Sequence, residues 1–210
     1  MEPPVDVLSL VQVEDKVWLS SIFNDYVVLD STWAVTATVP VYIYEGVHWT
    51  SGSLAYGDSC FHGTYPIQTG GGSVSDIVVF ADDGTLVERI RLDHAAGGLA
   101  WREGHLWSLD RARRCLDELS PEGSVIDSVA FDLPEMHGLS WGDDHFWSQS
   151  WYLPLLFRID RSGHLDAYQP LTGWTAASYA GGVSWSARSI LVNRFEVYGP
   201  CRLLELEPGS

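Results

Sequence analysis

The segment GGLAWREGHLWSLD at residues 97–110 recurs at residues 137–150 as HGLSWGDDHFWSQS. In both copies Gly leads into Leu-x-Trp, a short polar break follows, and the next segment begins with His, an apolar residue and Trp. The pattern continues at Trp185 in GGVSWSARSILVNRF and, toward the N-terminus, at Tyr56 in SGSLAYGDSCFHGTY. Spacings of about 40 to 45 residues are typical of chains built from one repeated structural unit.

A fifth, weaker copy lies near the start of the chain as SLVQVEDKVWLSS, where Trp18 matches Trp107 and Trp147. Each unit contains short apolar segments with the alternating and β-branched residues of strands, separated by polar or Gly turns. Four strands in about 42 residues is the size of a propeller blade. The sequence therefore predicts an all-β fold, a five-bladed β-propeller, with residues 1–210 in a single domain. A two-sheet sandwich is the alternative, but it would not require this period.

The last unit predicts an incomplete blade. After CRLLELEPGS at residues 201–210 there is no further segment for a fourth strand, and residues 4–8 are the N-terminal candidate for closing the ring. Prolines at positions 3 and 4 make that segment a poor strand. We expect either a three-stranded final blade or an exposed edge strand that pairs with a second copy in a homodimer.

The composition restricts the partners. The chain has 28 acidic and 12 basic residues, and its net charge of −16 disfavours nucleic acid and anionic lipid. No apolar run reaches the roughly 20 residues that span a membrane, and the N-terminus lacks the pattern of a secretion signal. Cys60, Cys115 and Cys201 are too far apart for a disulfide framework. We expect a cytoplasmic protein with reduced cysteines and with no nucleic-acid or membrane partner.

Two segments of the second half resemble the plant-and-bacterial type of glutaminyl cyclase, a five-bladed propeller that closes N-terminal glutamine into pyroglutamate. They are FWSQSWYLPLLFRIDRSGHLDAYQPLTGW at residues 146–174 and GGVSWSARSILVNRFEVYGPCRLLELEP at residues 181–208. The resemblance implies a binding pocket at the axis. It also implies that Trp151 matches an aromatic residue of that pocket and that Gln149 replaces the Asn before it.

The carboxylates of that family have no counterpart in this sequence. They fall on small residues near Ala96 and Gly97 and on the segment 136–139, and the family's closing-blade Lys falls near Asn193 or Arg194. Cyclising an amine onto an amide needs a group that moves a proton from the nucleophile to the leaving ammonia, usually a carboxyl. We therefore do not expect glutaminyl cyclase activity itself, although the resemblance implies the same pocket location.

Candidate site residues follow from the propeller topology. The loops that lead into the innermost strands and the ends of the second strands converge on one mouth of the axis. His137 is the predicted catalytic acid or base, because His titrates near neutrality, and Arg194 is predicted to hold a carboxylate or carbonyl. The predicted ligand-binding residues are His62, Tyr65, Asp110, Gln149, Trp151, Trp174 and Asn193.

Three histidines on the loops before inner strands, His48, His94 and His137, are weak candidates for a metal ion. Their offsets from the following Gly differ, so we expect no cofactor, with a metal ion as the open alternative. The leading hypothesis is binding of a small molecule or peptide end at the axial mouth, in a divergent enzyme of cyclase, lyase or isomerase type. The alternatives are a lectin-like propeller with several equivalent sugar pockets and a protein-interaction platform without catalysis.

Overall fold

The computed structural model describes the greater part of the chain. The described residues are 7–21, 25–44, 47–48, 52–69, 72–133, 136–150, 152–172, 178–185, 189–196 and 202–207. Every regular element among them is a β-strand, and they contain no helix long and apolar enough to cross a membrane.

The strands form five antiparallel sheets and one short hairpin. Blade one contains β1 (Val7–Val13), β2 (Lys16–Ser21), β3 (Asp25–Leu29) and β4 (Val35–Pro40), and the hairpin β5 (Tyr42–Tyr44) and β6 (Val47–His48) follows it. Blade two contains β7 (Leu54–Gly57), β8 (Cys60–Thr69), β9 (Gly72–Phe80) and β10 (Leu86–Arg91). Blade three contains β11 (Ala96–Arg102), β12 (His105–Asp110), β13 (Cys115–Leu119) and β14 (Val125–Ala130).

Blade four contains β15 (Met136–Gly142), β16 (His145–Ser150), β17 (Leu155–Ile159) and β18 (Leu165–Pro170). Blade five contains β19 (Ser178–Trp185), β20 (Ile190–Glu196) and β21 (Arg202–Leu206). In each blade the strands pair in chain order. The predicted five-bladed β-propeller is therefore confirmed, and in the described part of the chain its last blade has three strands.

The repeated tryptophans fill the spaces between blades. Trp18, Trp107 and Trp147 hold the third position of the second strands and are at most 6% exposed. Trp147 stacks on Trp185 of the next blade with ring centroids 5.3 Å apart. A Cβ atom on Gly142 would overlap the Trp185 ring, so the glycine after the inner-strand aromatic residue makes room for this stack.

The inner strands of neighbouring blades meet at five small residues, which we call the small-residue ring: Ser9, Ser53, Gly98, Gly138 and Gly182. A Cβ atom on Gly98 would lie 2.7 Å from the backbone carbon of Gly138. A Cβ atom on Gly182 would lie 3.0 Å from Cα of Ser9. Backbone packs on backbone here, and only very small residues permit such an approach. The Ser53 hydroxyl accepts the Leu99 N–H at 2.8 Å and links two blades directly.

Blade five joins blade one by packing and hydrogen bonds. Residues 7 and 8, the end of the predicted closing segment 4–8, belong to the innermost strand of blade one and not to blade five, and residues 4–6 lie outside the described residues. The Ser184 hydroxyl accepts the Gln12 N–H at 2.9 Å, and Asn193 Nδ2 donates to the Val7 carbonyl at 2.5 Å. These contacts connect the first two strands of blade five to the inner strand of blade one.

Replacing Gly142 by Ala should lower the free energy of unfolding by about 3 kcal/mol, because the added methyl group overlaps the Trp185 ring. Chemical denaturation followed by tryptophan fluorescence measures this change. Gly52→Ala is the matched control, since its Cβ would meet nothing closer than Thr64 Oγ1 at 3.6 Å. The control should change stability by less than about 0.5 kcal/mol. Equal stability of both variants would contradict the tight seam between blades four and five.

Candidate functional site

The upper end of the axis is defined here as the end where the inner strands begin and the second strands end. Immediately before the small-residue ring, the five inner segments carry Leu8, Gly52, Gly97, His137 and Gly181 in turn. Blade four alone places an ionisable side chain at this position. His137, the predicted acid or base, therefore lies where four other blades have a small or apolar residue.

The tautomer of His137 is set by a backbone carbonyl of the next blade. His137 Nδ1 lies 2.9 Å from the Gly181 oxygen. Because a carbonyl oxygen only accepts hydrogen bonds, Nδ1 carries the proton and Nε2 is the acceptor of the ring. The pKa of His137 is lowered to about 4, mainly by burial and in addition by the positive charge of Arg111, while the bond to Gly181 opposes both. The ring is therefore neutral at neutral pH.

Arg111 belongs to the upper end, and sequence reasoning missed it. It follows β12 directly, and a Cβ atom on Gly97 would lie 2.6 Å from Cγ of Arg111. The absence of a side chain at Gly97 makes room for the arginine side chain. The signal was present in the repeat, because Gly97 occupies in blade three the position that His137 occupies in blade four.

Gln149 and Asn193 hold equivalent places on the second strands of blades four and five and are 0% exposed. Gln149 Nε2 donates to the Gly182 carbonyl at 3.0 Å, as Asn193 Nδ2 donates to that of Val7. Both side chains therefore connect one blade to the next inner strand. Gln149 Oε1 is buried without a hydrogen-bond partner among the described residues, which is uncommon in folded proteins.

Arg194 is the next residue after Asn193 and is 4% exposed, so its charge is almost entirely removed from bulk water. The structure thus brings His137, Gln149, Asn193 and Arg194 to the upper end of blades four and five. Trp151 and Trp174, which the sequence predicts to form a flat wall of the same site, lie outside the described residues.

Asp110 ends β12 and serves the turn that follows it. Its carboxylate accepts the backbone N–H groups of Ala112 at 2.8 Å and Arg113 at 2.9 Å, and Arg113 Nε donates to it at 2.7 Å. Burial alone would raise the pKa of Asp110, but the bonds from Arg113 together keep it below its ordinary value. Arg113 also binds Asp117 at 2.6 Å. The predicted ligand residue Asp110 is therefore engaged in a structural ion pair.

The described contacts do not bring His94 and His137, two of the three weak candidates for a metal ion, to one place. His94 Nε2 lies 2.9 Å from the Ser108 hydroxyl, and its ligand atoms lie within 4.8 Å of those of Asp110 and Asp117. Arg113 already binds both carboxylates, so the cluster resembles an ion-pair network more than a cation site. His137 bonds to blade five instead, and the side chain of His48 lies outside the described residues.

His62 lies toward the opposite, lower end of its blade. It holds the third position of β8, the place of Trp18, Trp107 and Trp147 in other blades, and it stacks on Trp101 with ring centroids 5.1 Å apart. Burial lowers the pKa of His62 to about 4, although the charge of Asp58 opposes this. Aligning FHG with LWS and FWS would have revealed this packing role.

Tyr65 also lies apart from the residues gathered around His137. It is half-buried and packs against the hydrophobic core between blades one and two. Its place on β8, opposite Asp76 of β9, puts it in blade two. The upper end therefore combines the sequence-predicted residues of blades four and five, whereas those of blades two and three have other contacts.

The lower end of the axis contains a cavity of about 170 Å³ between the inner strands of all five blades. Its described lining is apolar except for Gln12, Ser140 and Ser184, and it includes the four aromatic residues Tyr56, Trp101, Trp141 and Trp185. None of these lining residues is Asp, Glu, His, Lys or Arg. The ionisable groups at the axis are therefore at its upper end.

The lowered pKa values of His62 and His137 predict a loss of stability in mild acid. The pKa values of His62 and His137 are lowered from 6.5 to about 4, so between these values the unfolded chain binds protons that the folded chain does not. The free energy of unfolding should fall as the pH decreases through this window, by at most about 1.4 kcal/mol per pH unit for each ring. Denaturant titrations at pH 7 and pH 5 measure the fall. In His137→Gln the fall in the free energy of unfolding should be smaller by the part that His137 contributes. In the control His164→Gln, a substitution in an exposed turn, the fall should stay the same.

The sequence matches no protein-family model and no curated protein. Among solved structures, the fold is similar to a glutaminyl cyclase of Myxococcus xanthus, with 12% identity and a TM-score of 0.68 over 99% of this chain and 96% of that one. A gluconolactonase of Xanthomonas campestris shares 15% identity with a TM-score of 0.59, over 94% of this chain and 70% of that one. A protein of unknown function from Bacteroides caccae shares 8% identity with a TM-score of 0.60, over 99% of this chain and 80% of that one. At such identities the likeness shows the fold alone, and at that level the resemblance to glutaminyl cyclase is confirmed.

Proposed function

We propose that the protein binds a small molecule or peptide end bearing a carboxylate or carbonyl group at the upper end of the axis, where His137 acts as an acid or base. One observation carries the proposal. His137, Arg111 and Arg194 lie at the upper end, whereas the described lining of the lower cavity has no charged or histidine side chain. Proton transfer and the binding of a charged ligand both need such groups.

Arg111 and Arg194 favour a negatively charged or strongly polar ligand. Arg194 is 4% exposed, and a guanidinium from which water is largely excluded attracts an anion more strongly than an exposed one. The charge of Arg111 already acts on the His137 ring. The chain has 12 basic residues against 28 acidic ones, and two of the 12 lie at the upper end.

An anionic ligand would raise the pKa of His137 toward the range in which the ring can accept a proton. Burial and the charge of Arg111 hold its pKa at about 4, whereas a general base works best when its pKa is near the working pH. A carboxylate bound between the ring and Arg111 would offset the arginine charge and raise the pKa. Nε2 would then take a proton from the ligand, while Nδ1 keeps its bond to Gly181.

These residues do not support the glutaminyl cyclase reaction. No carboxylate stands at positions 96–97 or 136–139, and Asp110 and Asp117 are both bound by Arg113. A carboxyl that shuttles a proton between amine and ammonia is therefore not among the groups described at the upper end. The reaction class that we propose is proton transfer of the lyase or isomerase type.

The lectin-like alternative needs equivalent pockets between the blades, and the described seams differ from one another. Trp147 stacks directly on Trp185, whereas His62 replaces the tryptophan that would stack on Trp101. At the seam of blades three and four, the Arg102 guanidinium lies 4.6 Å from the centroid of the Trp141 ring. Several identical sugar sites are therefore not favoured.

Arg111→Met should weaken the binding of a simple carboxylate at least tenfold, because it removes the positive charge. His137→Gln should also weaken it at least tenfold, because glutamine cannot take up the proton by which Nε2 of the ring would become a charged donor to the anion. Acetate and N-acetylglycine are suitable probes, and chemical-shift titration of the backbone amides around Gly181 measures the affinity. His164→Gln is the control and should leave the affinity unchanged. Equal affinity of all three variants would overturn the assignment.

A second measurement addresses the proton itself. The pKa of His137, followed by NMR through its ring carbon protons, should rise from about 4 when acetate is bound, since the anion offsets Arg111. The same titration of Arg111→Met should start from a higher pKa and show a smaller rise. A pKa that is unchanged by saturating acetate would contradict the proposed coupling.

A further inference from the structure

The seam between blades two and three has smaller side chains than the seam that follows it. His62 of blade two takes the place that Trp107 has on the second strand of blade three. Leu106 of blade three likewise takes the place that Phe146 has in blade four, since each pairs with the tryptophan of its inner strand. At the seam of blades three and four, the Trp107 and Phe146 rings are in contact, with centroids 5.1 Å apart. The seam of blades two and three has neither of these large rings.

A cleft with a volume of about 270 Å³ lies at the seam of blades two and three. Two rows of cross-strand neighbours form its walls. The row of blade two crosses β8, β9 and β10 and consists of His62, Val79 and Glu88. The row of blade three crosses β11, β12 and β13 and consists of Trp101, Leu106 and Leu119. Since an apolar protein cavity of about 150 Å³ binds benzene, this cleft has room for one ring and a short chain.

The turns around the cleft belong to the described part of the chain. At the lower end of the axis, blade two has the turns 58–59 and 81–85, and blade three has the turns 103–104 and 120–124. All four are described, as are the strands that they connect. Described chain therefore borders the cleft on both sides of the seam.

His62 is the most buried polar side chain of the described lining, with 7% of its surface exposed. The Cys60 carbonyl acts on the ring, but Nδ1 is buried and has no hydrogen-bond partner of normal geometry in the described chain. Such an unsatisfied atom costs about 1–3 kcal/mol. Burial lowers the pKa of His62 to about 4, so the ring is neutral at neutral pH. Because a neutral imidazole has one nitrogen that accepts a hydrogen bond, a ligand with an N–H group can bond to this ring.

The charged groups of the cleft favour a cation. The carboxylates of Asp58 and Glu88 belong to its lining, and both side chains are exposed. Neither forms an ion pair with a described residue. The described lining contains no Lys or Arg, and its second histidine, His105, lies 3.1 Å from Glu118. A positively charged group in the cleft would therefore meet two carboxylates and a neutral imidazole.

We infer that this cleft binds a small organic ammonium ion whose body is one aromatic or branched aliphatic group. The body would pack against Trp101 and the two leucines of blade three, in the space that large rings occupy at the next seam. The ammonium group would donate to the His62 ring and face Asp58 and Glu88.

A metal ion fits this cleft less well. The ligand atoms of Asp58, Cys60 and His62 do not all lie within 4.8 Å of one another, as those of His94, Asp110 and Asp117 do. The cleft lies toward the lower end of one seam, whereas His137 and Arg111 lie at the upper end of the axis. The inference therefore does not rest on the function proposed for the upper end.

Three probes of similar size separate the effect of charge from that of shape. They are 2-phenylethylamine, which is a cation at neutral pH, the neutral 2-phenylethanol and the anion 3-phenylpropionate. In methyl NMR titrations of the full chain, the amine should cause saturable shifts at Leu106 and Leu119. The alcohol should bind about fivefold more weakly, because it lacks the charge that meets the exposed carboxylates. The anion should leave these two methyl signals unchanged.

Two results of these titrations would overturn the inference. Equal affinity for the amine and the alcohol would show that the cleft does not select an ammonium group. Amine-dependent shifts confined to the amides around Gly181 would place the amine at the upper end of the axis and not in the cleft.

Variants that fill the cleft test its location. His62→Trp introduces the ring that blades one, three and four carry at this place, and Leu106→Phe introduces the ring of blade four. Each should weaken amine binding at least tenfold, because the added atoms occupy the space of the ligand. Chemical denaturation shows which of the two variants is folded. Undiminished binding by a folded variant would contradict the assignment.

Glu88→Gln should weaken amine binding about threefold, because it removes one exposed carboxylate. Asp127→Asn is the matched control, since Asp127 holds on β14 the place that Glu88 holds on β10. The control should leave the affinity unchanged. Equal loss in both variants would show attraction to the acidic surface in general and would overturn the site.

The thiol of Cys60 allows a measurement on the unmodified chain. Cys60 lines the cleft and is half-buried, whereas Cys115 is buried, and both are free cysteines. Saturating 2-phenylethylamine should slow the alkylation of Cys60 by iodoacetamide at least fivefold, as followed by peptide mass spectrometry. An alkylation rate that the amine does not change would contradict occupancy of the cleft.

Discussion

Direct backbone contact between the inner strands at the small-residue ring is the constraint on which the remaining structure depends. A Cβ atom on Gly138 would lie 3.2 Å from the backbone nitrogen of Val183, and the corresponding approach at Gly98 is closer still. Five blades of about 42 residues make a narrow propeller, and glycine or serine at each inner strand allows the blades to come this close. The apolar residue that follows each ring position is then buried, as at Leu99 and Leu139.

The same contact separates the two ends of the axis chemically. Below the ring, the strands diverge into a cavity with an aromatic and apolar lining. Above it, His137 replaces the glycines of blades two, three and five, and His137 and Gln149 of blade four bond to carbonyl groups of blade five. The same packing fixes the tautomer of His137 and partly buries its ring, and the resulting desolvation lowers its pKa, so that the ring is neutral at neutral pH.

The period of the sequence was sufficient for the fold, because every copy of the motif must bury the same surfaces. The register that places Trp101 opposite Leu106 is repeated by Trp141 opposite Phe146, and hydrophobic patterning reveals it. The site was harder to predict, because the chemical type of a side chain does not show whether it binds a ligand or supports the fold. His62 and Asp110 have titratable side chains of the kind that a site needs. However, His62 stacks on Trp101, and Asp110 accepts the N–H groups of the turn that follows β12. Arg111 was not predicted, because its place at the upper end depends on the empty space at Gly97. That space is a property of the neighbouring strand β11 and not of the segment that contains Arg111.

The unfolding free energy of Gly98→Ala, measured by denaturant titration against the unmodified chain, tests the central claim most directly. A single methyl group at this position would lie 2.7 Å from backbone atoms of Gly138 and Leu139, which cannot rotate away as a side chain can. The account predicts a loss of about 3 kcal/mol or a failure to fold. A variant as stable as the unmodified chain would show that the inner strands do not meet at the small-residue ring.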